Sequence, residues 1–232
     1  MVVNPIQSSL NSGEALSHPA HQRVTPTAIP HSGVMKQDYQ EITLVRHGRS
    51  SYLLPTHRIT AAEFRKWIAD YNLAGIAADS LPPTELIGAT RNVPYVACSD
   101  MPRAMASASL LSPGQAPYAL PQLREAGGPV SGDWPVKLPL AAWDRISVFL
   151  WTIGLLTSDE SVGAARLRAQ EAAGKLVRLA EEFDRVLCIG HGMFNALVGQ
   201  ALLRLGWEGP PRVADGHWAA TTYRKRAHNT TG

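Results

Sequence analysis

The chain has 232 residues, 45% of them apolar and 18% charged, with a formal net charge of +3. That is enough apolar chain for one large domain or two small ones with a buried core, and it excludes a disordered protein. Two cysteines exclude a disulfide scaffold and suit a reducing compartment or at most one bridge. Lys and Arg are scattered, with no run longer than Arg224-Lys225-Arg226, so the mild basicity reads as a solvated surface and not as a nucleic-acid face.

Residues 1–38 are rich in Ser, Pro, His, Asn and Thr and lack sustained periodicity, which predicts a flexible leader with the functional domain beginning near Met35. The first ten residues have neither the basic start nor the apolar run of a secretory signal. The most apolar stretch, Ile146 to Thr157, falls short of the ~20 residues of a spanning helix. The expectation is a cytoplasmic protein without a membrane anchor.

Ile42 to Val45 reads as a buried strand ending in Arg46-His47-Gly48. Thr60 to Tyr71 reads as a helix: Thr60 and Glu63 form a capping box, and Phe64, Trp67, Ile68 and Tyr71 recur at helical spacing, with Gly75 available to stop it. Pro94 to Cys98 is a second short strand, followed by a helix with Pro102 in its first turn and Arg103 behind it. Ser112 to Pro139 carries many Pro and Gly residues and is expected to be mostly loop. Leu140 to Leu156 is an apolar helix, whose Trp143, Phe149 and Trp151 are read as core. Thr157 and Glu160 form a second capping box, opening a helix to about Phe183. Arg185 to Ile189 is a third strand, ending in Gly190-His191-Gly192; a helix from about Asn195 to Leu205 is closed by Gly206, and Trp218 to Arg224 is a last strand. The alternation predicts an α/β fold, a three-layer α/β/α sandwich with a mainly parallel sheet, over residues 39–226, and a short tail at 227–232.

Three strands end in reactive polar residues. In an open α/β sheet ligands bind beyond the carboxyl ends of the strands, so Arg46-His47, Ser99 with Arg103, and His191 are expected to converge. Arg103 near a helix start opposes the helix dipole, a conflict that an anion bound there would resolve. No HExxH, paired CxxC or other metal-ligand spacing is present.

Taken together, Leu44-Val45-Arg46-His47-Gly48, Cys98-Ser99-Asp100-Met101-Pro102-Arg103-Ala104 and Val186-Leu187-Cys188-Ile189-Gly190-His191-Gly192 resemble the histidine phosphatase superfamily, the phosphoglycerate-mutase-like group, in order and spacing over about residues 40–225. The resemblance implies that His47 is the phosphorylated nucleophile, that Arg46, Arg103, His191 and Gly192 surround the phosphoryl group, and that Glu125, 22 residues beyond Arg103, is the proton donor. It implies a small phosphorylated substrate and neither cofactor nor metal. Asp133 is a rival donor, since spacing within a Gly/Pro-rich loop does not choose between it and Glu125. Where the mutase branch has Glu and then Trp-Asn, this chain has Arg49-Ser50-Ser51-Tyr52, which favours a phosphatase over a mutase. Arg49, Ser50 and Ser51 are either phosphate contacts or surface and turn residues. A phosphomutase and a non-catalytic phospho-ligand-binding module are the alternative readings. Cys98 and Cys188 are expected as buried reduced thiols, and no role is assigned to His57, His217 or His228.

Overall fold

A computed structural model describes residues 38–155 and 160–227. The expected leader up to residue 37, Thr157 with its part in the second capping box, and residues 228–232 lie outside the described residues.

β1 (Tyr39–Arg46), β2 (Tyr95–Cys98), β3 (Tyr118–Ala119), β4 (Arg185–Gly190) and β5 (Ala220–Arg226) form one sheet in the order β3-β2-β4-β1-β5. β1, β2, β3 and β4 run parallel to one another, and only β5 is antiparallel, along β1. β1 starts three residues before the apolar run because β5 supplies backbone partners to Tyr39, Gln40 and Glu41. Such main-chain pairing needs no particular side chain, so it left no mark in the sequence.

The period of two in each strand sorts side chains onto two faces. Ile42, Leu44, Ala97, Val186 and Cys188 enter one core, while Val45, Val96, Cys98, Leu187 and Ile189 enter the other. The first core is closed by α1 (Ala61–Leu73), α4 (Leu140–Thr152), α5 (Val162–Phe183) and α6 (Gly192–Arg204), the second by α2 (Thr84–Thr90) and α3 (Pro102–Leu111). The sheet is thus covered on both faces, which makes the three layers. Among the described residues no helix is long and apolar enough to cross a membrane.

The Thr60–Glu63 capping box forms as expected, with Thr60 N donating to Glu63 Oε2 at 2.7 Å and Glu63 N to Thr60 Oγ1 at 3.2 Å. Other boundaries differ. α5 begins at Val162, capped by Ser161 Oγ, which accepts from Ala164 N at 3.2 Å, while Glu160 turns to Arg168. α6 begins at Gly192, three residues before Asn195, because extended His191 serves as its N-cap. α2 has seven residues and no side-chain cap, too short to register as a period. Trp143 and Trp151 are core, whereas Phe149 is 61% exposed on the outer face of α4.

Candidate active site

The polar strand ends do converge. β4 lies between β1 and β2, and its terminal carbonyls hold both neighbours: Gly190 O accepts from His47 N at 3.1 Å and Ile189 O from Ser99 N at 2.9 Å. His47, Ser99 and His191 therefore leave the sheet side by side, all buried.

His47 is 2% exposed. Its Nδ1 lies 2.7 Å from Gly48 O, and a carbonyl only accepts, so Nδ1 carries the proton and Nε2 the lone pair. Nε2 accepts from Arg103 Nε at 3.1 Å. Burial first, then the charges of Arg103 and Arg46, push His47 down to about 3, against the Gly48 hydrogen bond that favours the charged form. The imidazole is therefore neutral at ordinary pH.

His191 Nε2 lies 2.9 Å from Ser99 Oγ, and its ring stands edge-on to His47 at 5.0 Å between centroids. Its Nδ1 is buried without a hydrogen-bond partner. Burial, with the Arg103 charge and its other cationic neighbours, holds His191 well below the usual histidine range.

Arg103 is 1% exposed in the first turn of α3. Another helix offsets its conflict with the helix dipole. Nη1 donates to Tyr71 O at 3.2 Å and Nη2 to Asn72 Oδ1 at 3.4 Å, near the negative C-terminal end of α1, and the guanidinium lies 4.4 Å over the Tyr71 ring. Arg46 donates from Nη1 to Asp215 Oδ1 at 2.8 Å, while its Nε is buried without a partner. A Cβ on Gly192 would stand 3.4 Å from Arg46 Cζ, so glycine there lets the guanidinium lie against the start of α6.

Glu125 follows a 3₁₀ turn (Pro121–Leu123) and reaches the same helix start. Its Oε1 accepts from Phe194 N at 2.9 Å and Ala126 N at 3.1 Å. Burial raises its pKa above the ordinary carboxylate value, outweighing those two N–H groups and the charges of Arg103 and Arg46. Asp133, by contrast, is 94% exposed and pairs with Arg65 of α1 at 3.1 Å, away from these groups. Arg49 pairs with Asp79 at the surface. Ser50 Oγ accepts from Tyr52 N in a local turn, and Ser51 Oγ donates to Gly75 O after α1.

His217 had no signal in the sequence, yet its ring lies 5.6 Å from that of His47 and its Nδ1 donates to His47 O at 3.3 Å. Tyr71 was marked only as a helical position and Asp215 not at all: each is defined by what it does to an arginine remote in sequence. Cys98 and Cys188 are free, buried and on opposite faces of the sheet; burial pushes Cys98 up to about 12 and Cys188 higher still. Among the described residues no group of three or more His, Cys, Asp or Glu side chains is arranged to hold a metal ion.

No family model matches the chain, and no curated protein does. Solved structures do match. A mycobacterial glucosyl-3-phosphoglycerate phosphatase aligns at 19% identity with a TM-score of 0.53, covering 80% of this chain and 90% of its own. A protein described as mycobacterial hydrolase 2 aligns at 19% identity and 0.55, over 84% of this chain and 85% of its own. An Entamoeba histolytica phosphoserine phosphatase, solved with 3-phosphoglyceric acid, aligns at 13% and 0.50, over 78% and 89%. At such identities the likeness is one of fold, and that fold is the histidine phosphatase fold that the three motifs implied.

Proposed function

We propose that this protein is a phosphomonoesterase that works through a phosphohistidine on His47. One observation carries the reading: the Nδ1–H of His47 is committed to Gly48 O, so Nε2 presents its lone pair among Arg46, Arg103 and His191. A neutral nitrogen attacks a phosphomonoester dianion without the repulsion an anionic nucleophile would meet.

In the first step Nε2 releases the Arg103 hydrogen bond and attacks phosphorus. The ester P–O bond breaks, and protonated Glu125 passes its proton to the departing oxygen. Charge spreads over three phosphoryl oxygens, and fixed guanidiniums suit them because the planar fork holds two oxygens at once. The free N–H of Arg46 Nε supplies one donor. Ser99 Oγ already accepts from Met101 N at 3.3 Å, so its own hydrogen is available to His191 Nε2. His191 Nδ1 then carries its proton toward the phosphoryl group. In the second step Glu125, now a carboxylate, takes a proton from water. The water oxygen bonds to phosphorus, the P–N bond breaks, and neutral His47 returns with inorganic phosphate.

The charges this scheme needs come from side chains, so we propose a metal-independent reaction on a small phosphorylated substrate. The free cysteines support a cytoplasmic setting. The test is phosphate release from an aryl phosphate with chelator present. The His47→Ala variant is expected to lose about 10³-fold or more of kcat/KM. Undiminished activity in that variant removes His47 as nucleophile, and isomer formation without phosphate release makes the protein a mutase.

A further inference from the structure

One charged side chain reaches the site only through other residues. Arg168 lies on α5, 20% exposed, far in sequence from every motif described above. All five of its N–H donors are engaged. Nε donates to Glu160 Oε1 at 2.7 Å and Nη2 to Glu160 Oε2 at 2.5 Å. Nη1 donates to Gln122 O and to Arg124 O, each at 2.8 Å, and the second Nη2 hydrogen goes to Glu125 O at 3.4 Å. The Arg168 Cζ lies 3.9 Å over the ring of Phe194, the residue whose backbone N–H binds the Glu125 carboxylate.

We propose that Arg168 is the positioning residue for the Glu125 carboxyl. One guanidinium grips the carbonyls of the segment that carries Glu125 and packs on the residue that holds its oxygen, so backbone and side chain are located together. Glu160 fixes the guanidinium in turn. Only a planar fork with five donors fills this place; a lysine ammonium has three and no face to lay on Phe194. Ground is lost quickly if the grip loosens, since a misplacement of about 1 Å from a remote change can cost ~100-fold in rate.

The role of the carboxyl rests on the proposed function, but its placement does not, and the test separates the two. First, amide hydrogen exchange at Phe194 is compared in the parent, Arg168→Lys and Arg168→Gln. The Phe194 N–H is in the first turn of α6 and bonds to Glu125, so both variants are expected to lose about 10-fold or more of its protection, while the β4 amides keep theirs and report an intact fold. Unchanged Phe194 protection overturns the proposal whether or not the protein is an enzyme. Second, kcat/KM is measured for an alkyl phosphate and for nitrophenyl phosphate. A poor leaving group needs the proton and a good one does not, so the alkyl-to-nitrophenyl ratio is expected to fall about 30-fold in Arg168→Gln, while the double variant with Glu125→Gln is expected to fall little further than Glu125→Gln alone. Equal losses on both substrates, or additive effects in the double variant, also overturn it. Absence of phosphate release by the parent from either ester would defeat the phosphatase reading and leave the exchange result to decide on Arg168.

Discussion

A histidine acts as a nucleophile only while it is unprotonated, and here neutrality is built by burial. His47, His191 and His217 all titrate below the ordinary histidine value of 6.5, in each case with desolvation as the largest cause. The unfolded chain takes up protons below about 6.5 that the folded protein refuses, so stability falls as the pH drops from there toward the folded value of about 3 for His47. One such histidine costs about 1.4 kcal/mol per pH unit within that window. Denaturant titrations at pH 7 and pH 5 are expected to show the loss, and His47→Gln is expected to flatten the slope. Glu125 runs the other way. Its raised pKa keeps the proton available above pH 4.5, so the alkaline limb of activity on an alkyl phosphate lies above that value. Glu125→Gln is expected to cut that activity by about 10²-fold or more, whereas Asp133→Asn, at the exposed pair with Arg65, is expected to change it less than about twofold.

At the scale of elements, the site stands on where strands stop. After β1 the chain turns over Trp218. A Cβ on Gly48 would lie 2.4 Å from Trp218 Cζ2, against a ring held by its Nε1–H bond to Ser80 Oγ at 3.0 Å. Gly48→Ala is therefore expected to destabilise by about 1–3 kcal/mol and to displace the His47 turn, read as a lower denaturation midpoint together with a disproportionate drop in kcat. The start of α6 is the other fixed point: His191 caps it, Gly192 makes room for Arg46, and Phe194 holds Glu125. A helix N-terminus favours negative charge, which suits both a carboxylate and a phosphoryl group.

For the whole molecule, the sheet, both cores and the site residues described above lie between residues 38 and 227. The solved structures of the same fold align over about four-fifths of the chain, as 80% for the glucosyl-3-phosphoglycerate phosphatase. We therefore propose that residues 39–226 are the catalytic domain. A chain beginning at Met35 is expected to release phosphate within about twofold of the full chain and to unfold in one transition at the same denaturant concentration; a large loss of activity would show that the segment before it contributes.

The sequence by itself determined most of the architecture. Apolar runs that stop at Arg46, Cys98 and Gly190 mark strands through the period of two, and Thr60 with Glu63 marks a helix start, because these signals are local and each residue acts on neighbours a few positions away. It also pointed to His47, Arg46, Arg103 and His191 as candidates, since they lie at strand ends or in the helix that follows one, where ligands bind in such a sheet. Only the tertiary structure shows how the surroundings of Glu125 and Asp133 differ, because both sit in a loop without periodicity and the rest of the chain brings different groups to them: the start of α6 to one, solvent and Arg65 to the other. Only the tertiary structure set Tyr71 beneath Arg103, His217 beside His47 and Arg168 behind Glu125. Those contacts join residues 32, 170 and 43 positions apart. Packing and desolvation decide them, and neither acts through sequence neighbours.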